Sequence, residues 1–181
     1  MTDYKDKRKE FLLKIGGLSL GKHCSSIHCN KTFFDIAEMA ELQNGDIRLQ
    51  IEMQIQDKMA AINFHFSGFV VAACDRCLDP VQVPMDFSEE LIVKQVEHPE
   101  EFENQEDENI WYIDEREDKI DVFHFVYESI LLAMPMQVIH PDDENGHSTC
   151  NPEILKKLEE LSNTQEEIDP RWEALKNIKL Q

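Results

Sequence analysis

Strict alternation of apolar and polar positions marks one stretch of the chain. Ile47, Leu49, Ile51, Met53 and Ile55 alternate with Asp46, Arg48, Gln50, Glu52, Gln54 and Gln56. A period of two sends one set to a buried face and the other to water, as in an antiparallel sheet with one solvated side. Asn44-Gly45-Asp46 reads as the turn that launches this strand. Residues 62–72, Phe- and Val-rich, are expected to pair back on it through a turn near Asp57-Lys58. A third alternation begins at Val81, runs to Phe87 and continues through Leu91 and Val93. The three predict a meander. Upstream, Phe11, Leu13 and Ile15 alternate as in a strand, Gly16-Gly17 and Gly21 punctuate a loop, and residues 23–29 read as a further short strand. Phe33, Phe34, Ile36 and Met39 fit a short helix or a turn.

The period changes in the C-terminal half. Asp121 is a good N-cap for a helix running to about Met134, with Val122, Phe125, Val126, Ile130 and Ala133 on one stripe. Phe123, Leu131 and Leu132 widen its apolar surface, which predicts burial around much of the circumference, and Pro135 stops it. Asn151-Pro152 starts a second helix with Ile154, Leu155, Leu158 and Leu161 on one face. Asp169-Pro170 starts a third, with Trp172, Leu175 and Ile178 as its stripe. Residues 97–109 form an acidic run with one aromatic, expected as a solvated loop. The expectation is an α+β fold: an antiparallel β-meander, flat or curled towards a barrel, with C-terminal helices. Residues 1–181 are expected as a single domain, with the extension from about residue 151 appended.

Composition adds constraints. Hydrophobic content of 41% and charged content of 30% suit a soluble globular chain, and no apolar run is long enough to span a membrane. The first nine residues carry no apolar segment that would serve as a secretory leader, and five cysteines suggest no disulfide framework. A reducing cytoplasm is the expected compartment. The net charge of −19 repels nucleic acid and favours basic partners. Candidates for a basic patch that could overcome this field are thin: Lys5, Lys7, Arg8 and Lys9 at one end, Lys176 and Lys179 at the other, and Arg76 between Asp75 and Asp79.

Candidate chemistry centres on Cys74-Asp75-Arg76-Cys77-Leu78-Asp79-Pro80. A C-x-x-C pair lets two thiolates converge on one ion. It lies between two strand-like runs, at the turn of a hairpin, whereas a redox pair of the thioredoxin kind opens a helix. Three readings follow: a metal knuckle, two free structural cysteines, or a redox pair, the knuckle being favoured. A tetrahedral zinc site needs two more ligands. The loop after the first helix holds His140, His147 and Cys150, so Cys74, Cys77, Cys150 and one of the two histidines would make a Cys₃His site that pins the C-terminal helices to the hairpin. Cys24 and Cys29, beside His23 and His28, are five apart on a strand and should face opposite sides. No G-x-S-x-G, Walker A, G-x-G-x-x-G or H-E-x-x-H motif occurs. A zinc ion with four protein ligands keeps no open position for water. A non-enzyme is therefore expected, with a zinc-dependent or thiol enzyme built on Cys74 and Cys77 as the alternative.

Several segments resemble the YceD family, described as large ribosomal RNA subunit accumulation proteins. They are Cys74-Asp75-Arg76-Cys77-Leu78 after an aromatic-rich strand, Asp121 with Tyr127-Glu128-Ser129-Ile130-Leu131-Leu132-Ala133-Met134-Pro135, the ligand-bearing loop, and Asp169-Pro170-Arg171 with Leu175. The resemblance covers about residue 47 to the C-terminus. It implies a non-enzymatic ribosome-biogenesis factor that supports synthesis, processing or stability of large-subunit (23S) ribosomal RNA. Many members carry further cysteines after the proline; in this chain His140 stands near the first such position and Cys150 follows. By that position the resemblance implies His140, rather than His147, as the ligand beside Cys74, Cys77 and Cys150. Joined with the acidic charge, it implies indirect action on RNA through a basic large-subunit ribosomal protein or a pre-ribosomal particle, with no DNA or membrane partner.

Overall fold

The computed structural model describes residues 8–37, 42–102 and 109–162. The chain forms two compact units, Met1–Ala73 with Pro80–Val138, and Cys74–Asp79 with Ile139–Gln181. The first contains strands β1 (Leu12–Lys14), β2 (Gly21–Cys29), β3 (Leu42–Gln56), β4 (Met59–Ala73), β5 (Pro80–Val96), β6 (Ile110–Asp114) and β7 (Lys119–Asp121), with helices α1 (Lys31–Ala37) and α2 (Phe123–Leu132). Helix α3 (Pro152–Ser162) belongs to the second.

The expected alternation is realised in β3. Ile47, Leu49, Ile51, Met53 and Ile55 are buried, and the residues between them face water. Strands β2, β3, β4 and β5 pair antiparallel in that order, so the meander forms as expected. The sheet stays open in five strands, β2-β3-β4-β5-β6, and no barrel closes among the described residues. At its far edge β6 joins β5 in parallel, with Ile92 opposite Ile110. The connection from β5 to β6 is therefore a crossover rather than a plain loop. A short 3₁₀ turn, Pro99–Phe102, starts it, and Phe102 stacks on Tyr112 of β6 at 4.3 Å. Residues 103–108 of the acidic run lie outside the described residues. Strands β1 and β7 form a separate two-stranded sheet.

Asn44-Gly45-Asp46 is not the expected turn. It lies inside β3, paired with β4 across an irregularity between Leu42 and Asn44. Gly45 is there for close packing: a Cβ on it would stand 2.6 Å from the Phe34 ring of α1. Across the ladder Gly68 adopts φ 148, and a Cβ there would collide with the Asp46 carbonyl oxygen.

The inner face of the large sheet is covered in aromatic contacts. Phe64 of β4 meets Phe125 of α2 at 5.0 Å, and Trp111 of β6 meets Phe125 edge-on at 6.0 Å. Phe11, Phe33 and Phe123 pack pairwise with centroids 5.2 Å apart. These rings, with fully buried Phe66, Ile62, Leu91, Val70 and Val93, make the core of the first unit. Helix α2 starts one residue later than expected, with Val122 rather than Asp121 at the cap position; Asp121 stands just before it and its Oδ1 accepts the Phe123 N–H at 2.9 Å. Its buried stripe is Phe123, Val126, Ser129 and Ile130. Leu132 is exposed, as is Ala133 just beyond the helix, so burial covers one side only. The third expected helix, with Trp172, Leu175 and Ile178, lies outside the described residues, as do Lys5, Lys7, Lys176 and Lys179.

Candidate metal centre

The β4–β5 hairpin carries the cysteine pair at its tip. Residues Ala73 and Pro80 close the ladder, and Cys74–Asp79 leave it as a knuckle of the second unit. Two backbone bonds shape the knuckle. The Cys74 N–H donates to the Asp79 carbonyl at 2.9 Å, and the Leu78 N–H to the Cys74 carbonyl at 2.8 Å. Closing this tight loop places Leu78 at φ 64, in the left-handed region.

The other half of the site comes from the loop before α3. Asn151 caps that helix through Oδ1, which accepts the Glu153 N–H at 3.1 Å, and Pro152 follows as its first residue. The same Asn151 donates from Nδ2 to Asp79 at 3.1 Å, and Arg76 donates to the Ser148 hydroxyl at 3.1 Å. These bonds fasten the knuckle to residues 148–151 within one unit, and they place Cys150 beside the pair.

Cys74, Cys77, His140 and Cys150 converge, with one ligand atom of each within 4.8 Å of all the others. The Cys74 and Cys150 sulfurs are 3.7 Å apart; the His140 Nδ1 lies 3.5 Å from the Cys77 sulfur and 3.8 Å from that of Cys150. Zn–S and Zn–N bonds of about 2.3 and 2.0 Å at tetrahedral angles imply edges of about 3.8 Å between sulfurs and about 3.5 Å from sulfur to nitrogen. Those three separations match the edges of such a tetrahedron, and the remaining ones stay within 4.8 Å. All three cysteines are buried, and His140 is half-buried.

Electrostatics separates the three thiols. Burial pushes Cys74 up, but the backbone N–H groups of Cys77, Arg76 and His140, with the His140 ring, outweigh it and bring the thiol down to about 6. Hydrogen bonding by Ser148 is the largest influence on Cys150, and with His140 it holds that thiol below its ordinary value. At Cys77 the Asn151 N–H pulls down, yet burial and the two neighbouring sulfurs raise the thiol overall. A bound cation would let three crowded thiolates coexist.

His147, the alternative histidine, stays outside: it is exposed and its Nδ1 lies 3.5 Å from Asp143. Cys24 is exposed and Cys29 buried, on opposite faces of β2. His65 sits on the outer face of the sheet, 3.1 Å from the Ser88 hydroxyl. Ser148, which holds the outside of the cluster, does not stand out in the sequence; Asn151 does as a helix start, and its place directly after Cys150 is the signal for its second role, because a helix cap next to a ligand is fixed in orientation.

Residues 62–179, well over half of the chain, match the family described as "Large ribosomal RNA subunit accumulation protein YceD". The chain belongs to the YceD family. A relative, the "Uncharacterized protein YlbN" of Bacillus subtilis (strain 168), is 27% identical over 161 residues, covering 82% of this chain and 89% of that protein. No solved structure matches the chain. The YceD match spans the knuckle, α2, the His140–Cys150 loop and α3, so the whole four-residue cluster lies inside the family region. Among the described residues no helix is long and apolar enough to cross a membrane.

Proposed function

We propose that this YceD-family chain is a non-enzymatic cytoplasmic factor in large-subunit ribosome assembly, carrying structural zinc on Cys74, Cys77, His140 and Cys150. The observation that carries the reading is the match of residues 62–179 to a family described by large-subunit ribosomal RNA accumulation. The character of the cluster supports a structural metal over a catalytic one. Four protein ligands at tetrahedral spacing leave no corner for a water or substrate. Cys74, the acidified thiol of the pair, is fully buried, and Cys77 is buried and raised, so neither presents the accessible thiolate that a redox or acyl-transfer enzyme needs. Zinc fits the three-thiolate, one-imidazole donor set better than harder divalent ions, which prefer oxygen.

The partner follows from charge. A net charge of −19 opposes close approach to phosphate. Large-subunit ribosomal proteins present the opposite sign, and an acidic surface steers such partners on encounter. The factor then acts on ribosomal RNA through a basic ribosomal protein or a pre-ribosomal particle. Titrating the zinc-loaded protein against large-subunit precursor particles and against protein-free large-subunit RNA, each at several salt concentrations, tests this. Salt-sensitive binding to particles with weak binding to the RNA is expected. Tight binding to the protein-free RNA at physiological salt would overturn it.

A further inference from the structure

Leu78 breaks two rules at once. Its φ of 64 is a conformation that glycine adopts freely and a residue with a Cβ resists. Its side chain is 77% exposed, so burial returns nothing for that cost. Lys58, at φ 57, is the other such non-glycine among the described residues; it sits in a hairpin turn, and its ammonium pairs with Glu115 at 2.7 Å. The knuckle closes through backbone atoms, the Leu78 N–H and the Cys74 carbonyl, and the isobutyl group is left largely in water. A strained residue with an idle apolar side chain at the tip of a rigid turn has the form of an anchor for something outside the chain.

The charges around it say what that something is. The described part of the same unit carries eight exposed carboxylates, from Asp75 and Asp79 through Asp142, Asp143 and Glu144 to Glu153, Glu159 and Glu160, against the three cations Arg76, Lys156 and Lys157. Arg76, two residues from Leu78, is turned to the Ser148 hydroxyl. An exposed apolar tip flanked in sequence by Asp75 and Asp79, in a unit with excess carboxylates, fits a basic protein surface that offers a small apolar pocket, and it does not fit a polyphosphate backbone.

We infer that Leu78 is the apolar anchor by which the knuckle docks on a basic protein partner, with the cysteine cluster acting as the rigid base that presents it. The inference rests on the partner reading above and adds the contact point. Preorganisation explains why a metal knuckle suits this role, since a side chain held at a fixed angle loses little entropy on docking.

The test uses the full-length, metal-loaded chain as wild type, Leu78→Gly and Leu78→Met, titrated against purified large-subunit precursor particles and against protein-free large-subunit RNA. Glycine removes the anchor and relieves the backbone; methionine keeps an apolar anchor. The expected result is particle binding weakened about 30-fold or more by Leu78→Gly, the loss typical of truncating an interface anchor. Leu78→Met stays near wild type, and the glycine variant retains its metal with an unchanged or higher thermal midpoint. Equal particle binding by Leu78→Gly overturns the anchor and leaves the partner reading standing. Particles that fail to bind wild type overturn both. A glycine variant that loses its metal or melts earlier shows Leu78 packing within its own chain and overturns the anchor, as does parallel weakening on protein-free RNA.

Discussion

The two units of this protein bury different kinds of residue. In the first, burial follows apolar area: Phe64, Phe66, Ile47, Leu49, Ile51 and Leu91 are fully enclosed between the sheet and the elements on its inner face. Each such side chain contributes roughly 1.5–3 kcal/mol by leaving water. In the second, the buried residues among those described are Cys74, Cys77 and Cys150. Helix α3 buries no residue, and its Leu158 and Leu161 are exposed. Apolar burial among the described residues of this unit is too small to offset the entropy of ordering their backbone, which costs about 1–2 kcal/mol per residue. Ligation fills that gap if a metal binds, because a structural ion adds its binding free energy directly to folding. The contrast teaches that apolar area accounts for the first unit and does not account for the described part of the second, where a ligand cluster takes the place of a core.

The largest expected effect separates them. Removing the metal with a chelator, or mutating Cys150→Ser, is expected to abolish hydrogen-exchange protection across residues 152–162 while residues 47–55 of β3 keep theirs. Zinc contributes about 10–16 kcal/mol in small zinc-folded peptides, so the loss should be complete rather than partial. Protection that survives chelation in α3 would put both units in the same class. Acid should do the same. Metal must displace any proton still on a thiol, so apparent affinity rises with pH. With Cys74 at about 6, that thiol begins to compete only below about pH 6, whereas the raised Cys77 proton competes throughout the neutral range. A metal affinity that is flat from pH 6 to 8 would contradict the assignment of Cys77 as a ligand.

The reciprocal perturbation comes next in size. Phe64→Ala removes a fully buried ring from the sheet core, where it meets Phe125, and should cost about 3–5 kcal/mol of sheet stability in denaturant unfolding. Metal stoichiometry should stay unchanged, since no atom of the cluster belongs to that core. Loss of metal on Phe64→Ala would mean that the two units fold as one. Asn151→Ala is the smallest and the most pointed change. It deletes the α3 cap and the bond to Asp79, for about 1 kcal/mol, and should weaken metal binding several-fold in competition with a chromophoric chelator while leaving the sheet's unfolding midpoint alone.

The same contrast explains what could be read from sequence. The sheet is written in a period of two, and β3, β4, β5 and their hairpin turns follow from it directly. The pairing of β6 was not legible, because a parallel neighbour is chosen by a crossover and leaves no local periodicity. Asn44-Gly45-Asp46 misled because a glycine required by the Phe34 ring looks the same as a glycine required by a turn. The cluster is written in ligand type and spacing. Cys74 and Cys77 announce themselves, but a histidine more than sixty residues away in sequence is selected only by folding. Family likeness pointed to His140 before the geometry brought it to the sulfurs. Leu78 was invisible because its cost lies in a backbone angle, which no residue type reports.

The most direct test of the central claim, that coordination organises the second unit, is the native mass of the protein purified without chelator. One zinc per wild-type chain, absent from the Cys74→Ser, Cys77→Ser and Cys150→Ser variants and retained by His147→Ala, is the predicted result. A metal-free wild-type chain whose α3 is nonetheless protected from exchange would contradict it.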